Sequence, residues 1–269
     1  MAALRRRRLT VAYDGTDFSG WQVQPGRRTV QGSLEEALER TLGAPVRVFG
    51  AGRTDAGVHA LGQVAHFDAV DELPEARLLA ALNSRLPPDV RVRELREAAP
   101  GFHALRSARD KTYVYQLHLA AGGCGRRAVE AQLPPLRRRT FHAIPGAADV
   151  AAMRAAARLL VGKRDFTALS KVMEAGRSPV KTLHAVRVLR IPHGLRVVAT
   201  ADGFLYGMMR LLCGLLVQVG TGRRRPEDVP ALLAAADRSR GPPALPAQGL
   251  LLLRVRYGTG PRGLISWPP

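Results

Sequence analysis

The segment Gly52-Arg53-Thr54-Asp55-Ala56-Gly57-Val58-His59 holds the most concentrated chemistry in this sequence. Two glycines bracket an arginine and an acid between two short apolar runs, so the spacing predicts an acid presented outward on a tight loop. A carboxylate held that way can act as a nucleophile. An aspartate in a Gly-rich turn also commonly caps its own backbone, and Asp55 alone carries either reading. Arg210 is the second feature. It lies in the middle of an expected helix, Tyr206–Val219, that is apolar nearly all round through Met208, Met209, Leu211, Leu212, Leu215, Leu216, Val217 and Val219. Such a helix is buried, and a buried guanidinium needs a carboxylate or phosphate; snorkelling to the surface is the alternative. Rings beside cations form the third feature, in Phe102-His103-Ala104 and Lys111-Thr112-Tyr113-Val114-Tyr115. They suit stacking on an unpaired base or ordinary core packing.

Composition narrows the partner. Lys+Arg is 41 against Asp+Glu 22, a formal net charge of +19 over 269 residues. A chain this basic meets a polyanion, nucleic acid first of all. A genomic bias toward Arg codons explains why lysine stands only at 111, 163, 171 and 181, but not why acids are scarce. Cys124 and Cys213 provide no disulfide framework, and the seven histidines show no metal-ligand spacing, so no metal is expected and a reducing cytoplasm fits. The apolar run after Arg5–Arg8 ends at Asp14, too short for an export signal. Phe204–Val217 is core-helix length, so no membrane span is expected.

The elements that must hold these residues follow from periodicity. Alternation predicts a strand around Leu9, Val11 and Tyr13. A Gly-rich loop, Asp14–Arg28, leads to a helix capped by Thr29 and running to about Leu42. Strands are expected at Val46–Phe49, Leu61–Asp68 and Val90–Leu95, with a helix at Pro74–Arg85. Beyond Thr112 the pattern predicts a strand Tyr113–Leu119 and a long exposed loop, 120–145, rich in Gly, Pro and Arg. A helix Asp149–Val161, a loop, strands Leu183–Ile191 and Leu195–Ala201, the Arg210 helix, a short helix after Pro226 and a strand Leu250–Tyr257 complete it. Two halves of mixed strand–helix order, 1–108 and 109–269, point to an α+β fold with helices packed on one face.

Taken in order, these residues resemble the tRNA pseudouridine synthase A family. The resemblance runs through Tyr13-Asp14-Gly15, Gly20-Trp21-Gln22, Gly52–Ala60, Gly62-Gln63-Val64, Phe102-His103-Ala104, Tyr113 and Tyr115. It continues through Asp165-Phe166, Met209-Arg210 and Gly249-Leu250, almost the whole chain. It implies two facing α+β halves whose antiparallel sheets join, with helices on the outer face and a basic cleft between the halves. It also implies that Asp55 is the nucleophile of uridine isomerisation, that Tyr113 stacks on the target base and that Arg210 pairs with Asp55. Arg53 would enter the RNA as the target nucleotide leaves its stack, and Leu252 would pack on the uracil. Lys111 and Lys181 are expected to contact RNA. The family acts as a homodimer on uridines at tRNA positions 38 to 40, without cofactor or metal.

Leu105 and Arg106 stand where the family usually has Arg and an aromatic. Leu169 replaces a phenylalanine after Asp165-Phe166, and Lys181 replaces a commoner arginine. These departures touch the grip on tRNA. A non-catalytic RNA-binding protein is the rival reading, and a pseudouridine synthase for another RNA is a third. Neither charge nor aromatics separates them from the first, but the RNA-binding reading has no use for Asp55 or Arg210.

Overall fold

The computed structural model describes residues 4–121, 126–146, 148–172, 176 and 178–258. Its strands are β1 (Leu4–Tyr13), β2 (Phe49–Gly50), β3 (His59–Val70), β4 (Val90–Glu97), β5 (Ala108–Ala120), β6 (His142–Pro145), β7 (Gly162–Asp165), β8 (Val180–Ile191), β9 (Gly194–Ala201) and β10 (Leu250–Tyr257). Its helices are α1 (Val30–Leu42), α2 (Glu75–Arg85), α3 (Arg126–Ala131), α4 (Val150–Leu160), α5 (Met208–Gly220) and α6 (Asp228–Ala234).

The described strands form one sheet in the order β4-β1-β3-β10-β5-β9-β8-β7, with β2 on β3 and β6 on β5. The last strand therefore sits at the centre. β10 runs antiparallel to β5, pairing Leu252 with Tyr113, and parallel to β3 through Leu251–His59 and Leu252–Ala60. Side chains alternate across the sheet. One face carries Leu9, Val11, Tyr113, Tyr115, Val197, Leu250 and Leu252, packed in a single core with Leu34, Leu82, Met153 and Leu212 of the helices. On the other face Val114, Val198, Leu251 and Leu253 form a small separate cluster.

Local chemistry starts and stops the helices as read. The Thr29 hydroxyl accepts from the Gly32 N–H at 3.3 Å, and Gly43 ends α1 at φ 74°, a left-handed position that suits glycine. Asp149 accepts from the N–H groups of Ala151 and Ala152 to start α4.

Three expectations are corrected. The strand expected at Val46–Phe49 is reduced to Phe49–Gly50, because only these two residues find ladder partners, His66 and Ala65. The expected loop 120–145 contains α3, a 3-10 turn at Pro135–Arg137 and β6, of which residues 122–125, with Cys124, lie outside the described residues. Ala120, Val129, Leu133, Phe141 and Ala143 give that segment its own apolar cluster. Five apolar positions scattered among Gly, Pro and Arg show no helical or strand period, so periodicity could not find it. Finally, α5 begins at Met208, after Gly207 at φ 70°. Arg210 is therefore in its first turn, not its middle. No helix among the described residues is long and apolar enough to cross a membrane.

Candidate active site

The loop between β2 and β3 is pinned along most of its length. At its entry the Ala51 N–H donates to Val64 O at 2.7 Å and the Gln63 amide donates to Gly52 O at 2.8 Å. Thr54 is buried, its hydroxyl 2.8 Å from the Tyr13 hydroxyl and its carbonyl accepting from the Trp21 N–H at 3.0 Å. The turn closes with the Val58 N–H on Asp55 O, through Gly57 at φ 77°, a left-handed conformation that costs glycine least. A Cβ on Gly15 would stand 2.0 Å from Val58 O, and one on Gly20 would stand 2.7 Å from Thr54 O. The Tyr13-Asp14-Gly15 and Gly20-Trp21 motifs thus back the loop by lying directly against it. His59 ties the loop's exit to both halves: its Nδ1 accepts from the Gly15 N–H and its Nε2 faces Gln248 O, each at 3.1 Å.

Asp55 projects from this support toward α5. Its Oδ2 accepts from Arg210 Nη1 at 2.9 Å, and the two side chains keep 19% and 15% of their surface exposed. Arg210 is itself fixed, since its Nε donates to Leu245 O at 2.6 Å and its carbonyl accepts from the Leu245 N–H at 3.2 Å. The chain leading to β10 reaches it only because it passes flush over α5, where a Cβ on Gly214 would lie 2.2 Å from Pro243 O. Within the described residues, Asp55 Oδ1 accepts no hydrogen bond.

Tyr113 borders the pair. Its ring meets Phe204 edge-on at 4.9 Å between centroids. Burial, with Tyr13 and Asp55 close by, pushes its phenol far above the usual range, so it stays a neutral ring. Leu252 lies beside it in register and is fully buried. Tyr115 points to the same side and does something different. It is completely enclosed, donates to Pro246 O at 2.7 Å, and packs so closely on Gly249 that a Cβ there would meet its ring at 2.6 Å.

Of the cations, Lys111 leans on the loop, its Nζ 2.9 Å from where a Gly52 Cβ would be. Arg53 is exposed on the loop itself. Lys181 donates to Ser178 O at 2.9 Å and lies beside Gly203, one residue from Phe204. The structure thus brings Asp55 and Arg210 together beside Tyr113, with Leu252 in register with that ring, Lys111 and Arg53 at the loop, and Lys181 near Gly203. Periodicity did not single out Phe204 or His59: Phe204 begins an apolar run like any other, and His59 was visible only as part of the loop string. Among the described residues no group of three His, Cys, Asp or Glu side chains is arranged to hold a metal.

A carboxylate held at one oxygen by an arginine 155 residues away in sequence, near a neutral ring, can present its other oxygen to a substrate. The model of a family described as tRNA pseudouridine synthase matches residues 9–104 and 156–258. The chain belongs to the tRNA pseudouridine synthase family. Among proteins similar to this synthase, one from Solidesulfovibrio magneticus named tRNA pseudouridine synthase A is 47% identical over 264 residues, covering 95% of this chain and 92% of that protein. Proteins of the same name from Frankia casuarinae and Geobacillus kaustophilus are 45% and 42% identical, over 96% and 94% of this chain and 91% and 95% of theirs. The family match brackets the synthase's Asp55 loop and α5, and leaves out residues 105–155.

Proposed function

We propose that this synthase isomerises uridine to pseudouridine at positions 38 to 40 of tRNA, with Asp55 as nucleophile. The observation that carries the reading is the Asp55–Arg210 pair, made between the two halves beside Tyr113, in a chain of this family. The reaction breaks the bond from N1 to the sugar and forms one from C5, while C5 loses a proton and N1 gains one. Product and substrate have the same atoms and oxidation level, so the chemistry calls for no cofactor. A covalent Asp55 intermediate divides the exchange into two easier steps. Arg210 holds Oδ2, which leaves Oδ1 for attack. The nucleotide must leave its stack at a cost of a few kcal/mol, and stacking on Tyr113 offsets ~1–3 kcal/mol of that. Leu252, buried beside Tyr113, backs the ring that meets the uracil, Arg53 fills the vacated stack, and Lys111 and Lys181 hold phosphates. We take the halves to be residues 1–108 and 109–269, and the working form to be a cytoplasmic homodimer.

Mapping pseudouridine in unmodified tRNA after incubation with the protein tests the assignment. Product should appear at positions 38 to 40, and Asp55→Asn should abolish it while still binding tRNA. Turnover by Asp55→Asn would remove the nucleophile assignment, and product at other positions would change the substrate site.

A further inference from the structure

The segment left outside the family match includes an Arg-rich turn built to project. Its backbone is anchored at several points: Phe141 N–H donates to Arg137 O at 2.9 Å, and the Gln116 amide donates to Thr140 O at 3.0 Å. Arg137 is spent on the anchoring, with its guanidinium over the Phe141 ring at 5.0 Å and Nη1 donating to Pro192 O at 3.3 Å. From this fixed base Leu136 stands 96% exposed. Isolated exposed leucines are ordinary, but this one is followed directly by three arginines. Arg138 is exposed and has no carboxylate partner among the described residues. Arg139 reaches the first half, its Nη1 3.4 Å from Asp14 Oδ2 and 3.4 Å from Asp17 Oδ2. That brings the turn toward the Asp55 loop, because the neighbouring Phe18 carbonyl accepts from Gly57 N–H of that loop.

We propose that Pro135–Arg139 is an RNA-contact element gripping the substrate strand beside the target nucleotide. Leu136 packs on a nucleotide face, and Arg138 and Arg139 take phosphates. An apolar side chain flanked by cations suits that task, since the cations fix the backbone while the apolar group meets a base. The Arg139 contacts to Asp14 and Asp17 are long and largely exposed, and such pairs are weak. A phosphate can therefore displace the two carboxylates, which hold the arginine in place until RNA arrives. A second copy of this chain is the poorer occupant of this turn, since three consecutive arginines seek an anionic surface, which RNA offers along its backbone and a chain with 41 Lys+Arg against 22 Asp+Glu offers sparsely. This inference rests on the tRNA reading above.

Filter binding of unmodified tRNA at several salt concentrations, with the full chain, tests it. Leu136→Ala should weaken binding about three- to tenfold with an unchanged salt slope and melting temperature, since the side chain supports nothing in the fold. Arg138→Ala and Arg139→Ala should each lower the log–log salt slope by up to about one unit. Asp17→Asn should tighten binding, because the phosphate then has one competitor fewer. Wild-type affinity and slope in Leu136→Ala and Arg138→Ala would overturn the proposal. So would a Leu136→Ala protein whose particle mass changes while its tRNA affinity does not, which would mark a protein interface. Wild-type protein that binds tRNA but forms no pseudouridine would refute the functional reading alone, and the variants' affinities would still judge this element.

Discussion

At the scale of single residues, the pair of Asp55 and Arg210 allows a direct measurement of coupling. Removing Arg210 leaves a part-buried carboxylate with no cation, and breaking a buried pair costs roughly 3–5 kcal/mol. The remaining exposure of both side chains brings this pair toward the lower end. Arg210→Met also strands Leu245 O. It should therefore be less stable and nearly inactive. Combined with Asp55→Ala, the loss should fall short of the sum of the two single losses by about 0.5–3 kcal/mol, as for side chains in contact. Urea denaturation of the four proteins measures this, and additive losses would mean that the two groups do not interact in solution. The two tyrosines separate catalysis from support in the same way. Tyr113→Ala should keep its fold and lose ~1–3 kcal/mol of transition-state binding. Tyr115→Phe should keep turnover and lose about 1 kcal/mol of stability, the worth of its bond to Pro246 O. Equal kcat/KM defects in the two variants would show that the wrong ring was assigned to the base.

At the scale of elements, the Phe102-His103-Ala104 turn is held on the sheet by aromatic contacts and hydrogen bonds. His66 stacks on Phe49 at 5.2 Å, lies 4.7 Å from His103 and accepts from Ala104 N–H at 3.2 Å through Nδ1. Phe102 packs on Tyr257, whose hydroxyl donates to Ala104 O. Burial, followed by the charges of His103 and Arg6, pushes His66 down to about 4. An unfolded histidine takes its proton near 6.5, so the unfolded chain gains protons that the folded chain refuses as pH falls. The contribution of His66 to stability is complete above pH 6.5 and is lost down to about pH 4, up to roughly 3 kcal/mol over that window. Denaturation midpoints at pH 7.5 and 4.5 should differ accordingly, and His66→Gln should narrow the gap. An unchanged gap in His66→Gln would assign the acid sensitivity elsewhere.

At the scale of the whole molecule, charge governs affinity. Arginines that meet phosphates release condensed counterions, so tRNA binding should weaken steeply between low and moderate salt. A log–log slope near zero would contradict the basic cleft. The sheet explains how the site stays in register. β10 lies between β3 and β5, so this strand sets the distance between the Asp55 loop, which leads into β3, and Tyr113 on β5.

Much of this was legible without coordinates. Local rules placed the strands and helices that carry strong period or caps, such as α1 after Thr29 and α4 after Asp149. The Gly-rich string marked Asp55 as a candidate, but by itself it fitted a backbone-capping aspartate equally well, and the resemblance supplied the role. Residue pattern alone left Arg210 with either an anionic partner or a snorkelling path, and a 155-residue separation carries no local signal for the partner that the resemblance implied. Tertiary structure decided that Arg210 meets Asp55, and that Tyr113 and Tyr115, two residues that share a strand, a face and a side chain, have different neighbours. It also decided that residues 126–145 fold into an ordered unit and that Arg139 reaches Asp14. In each case the deciding contact comes from a distant segment: β10 and its leading turn, the β8–β9 turn, or the first-half loop. Periodicity reports which way a side chain faces, and only the packed chain determines what it meets there.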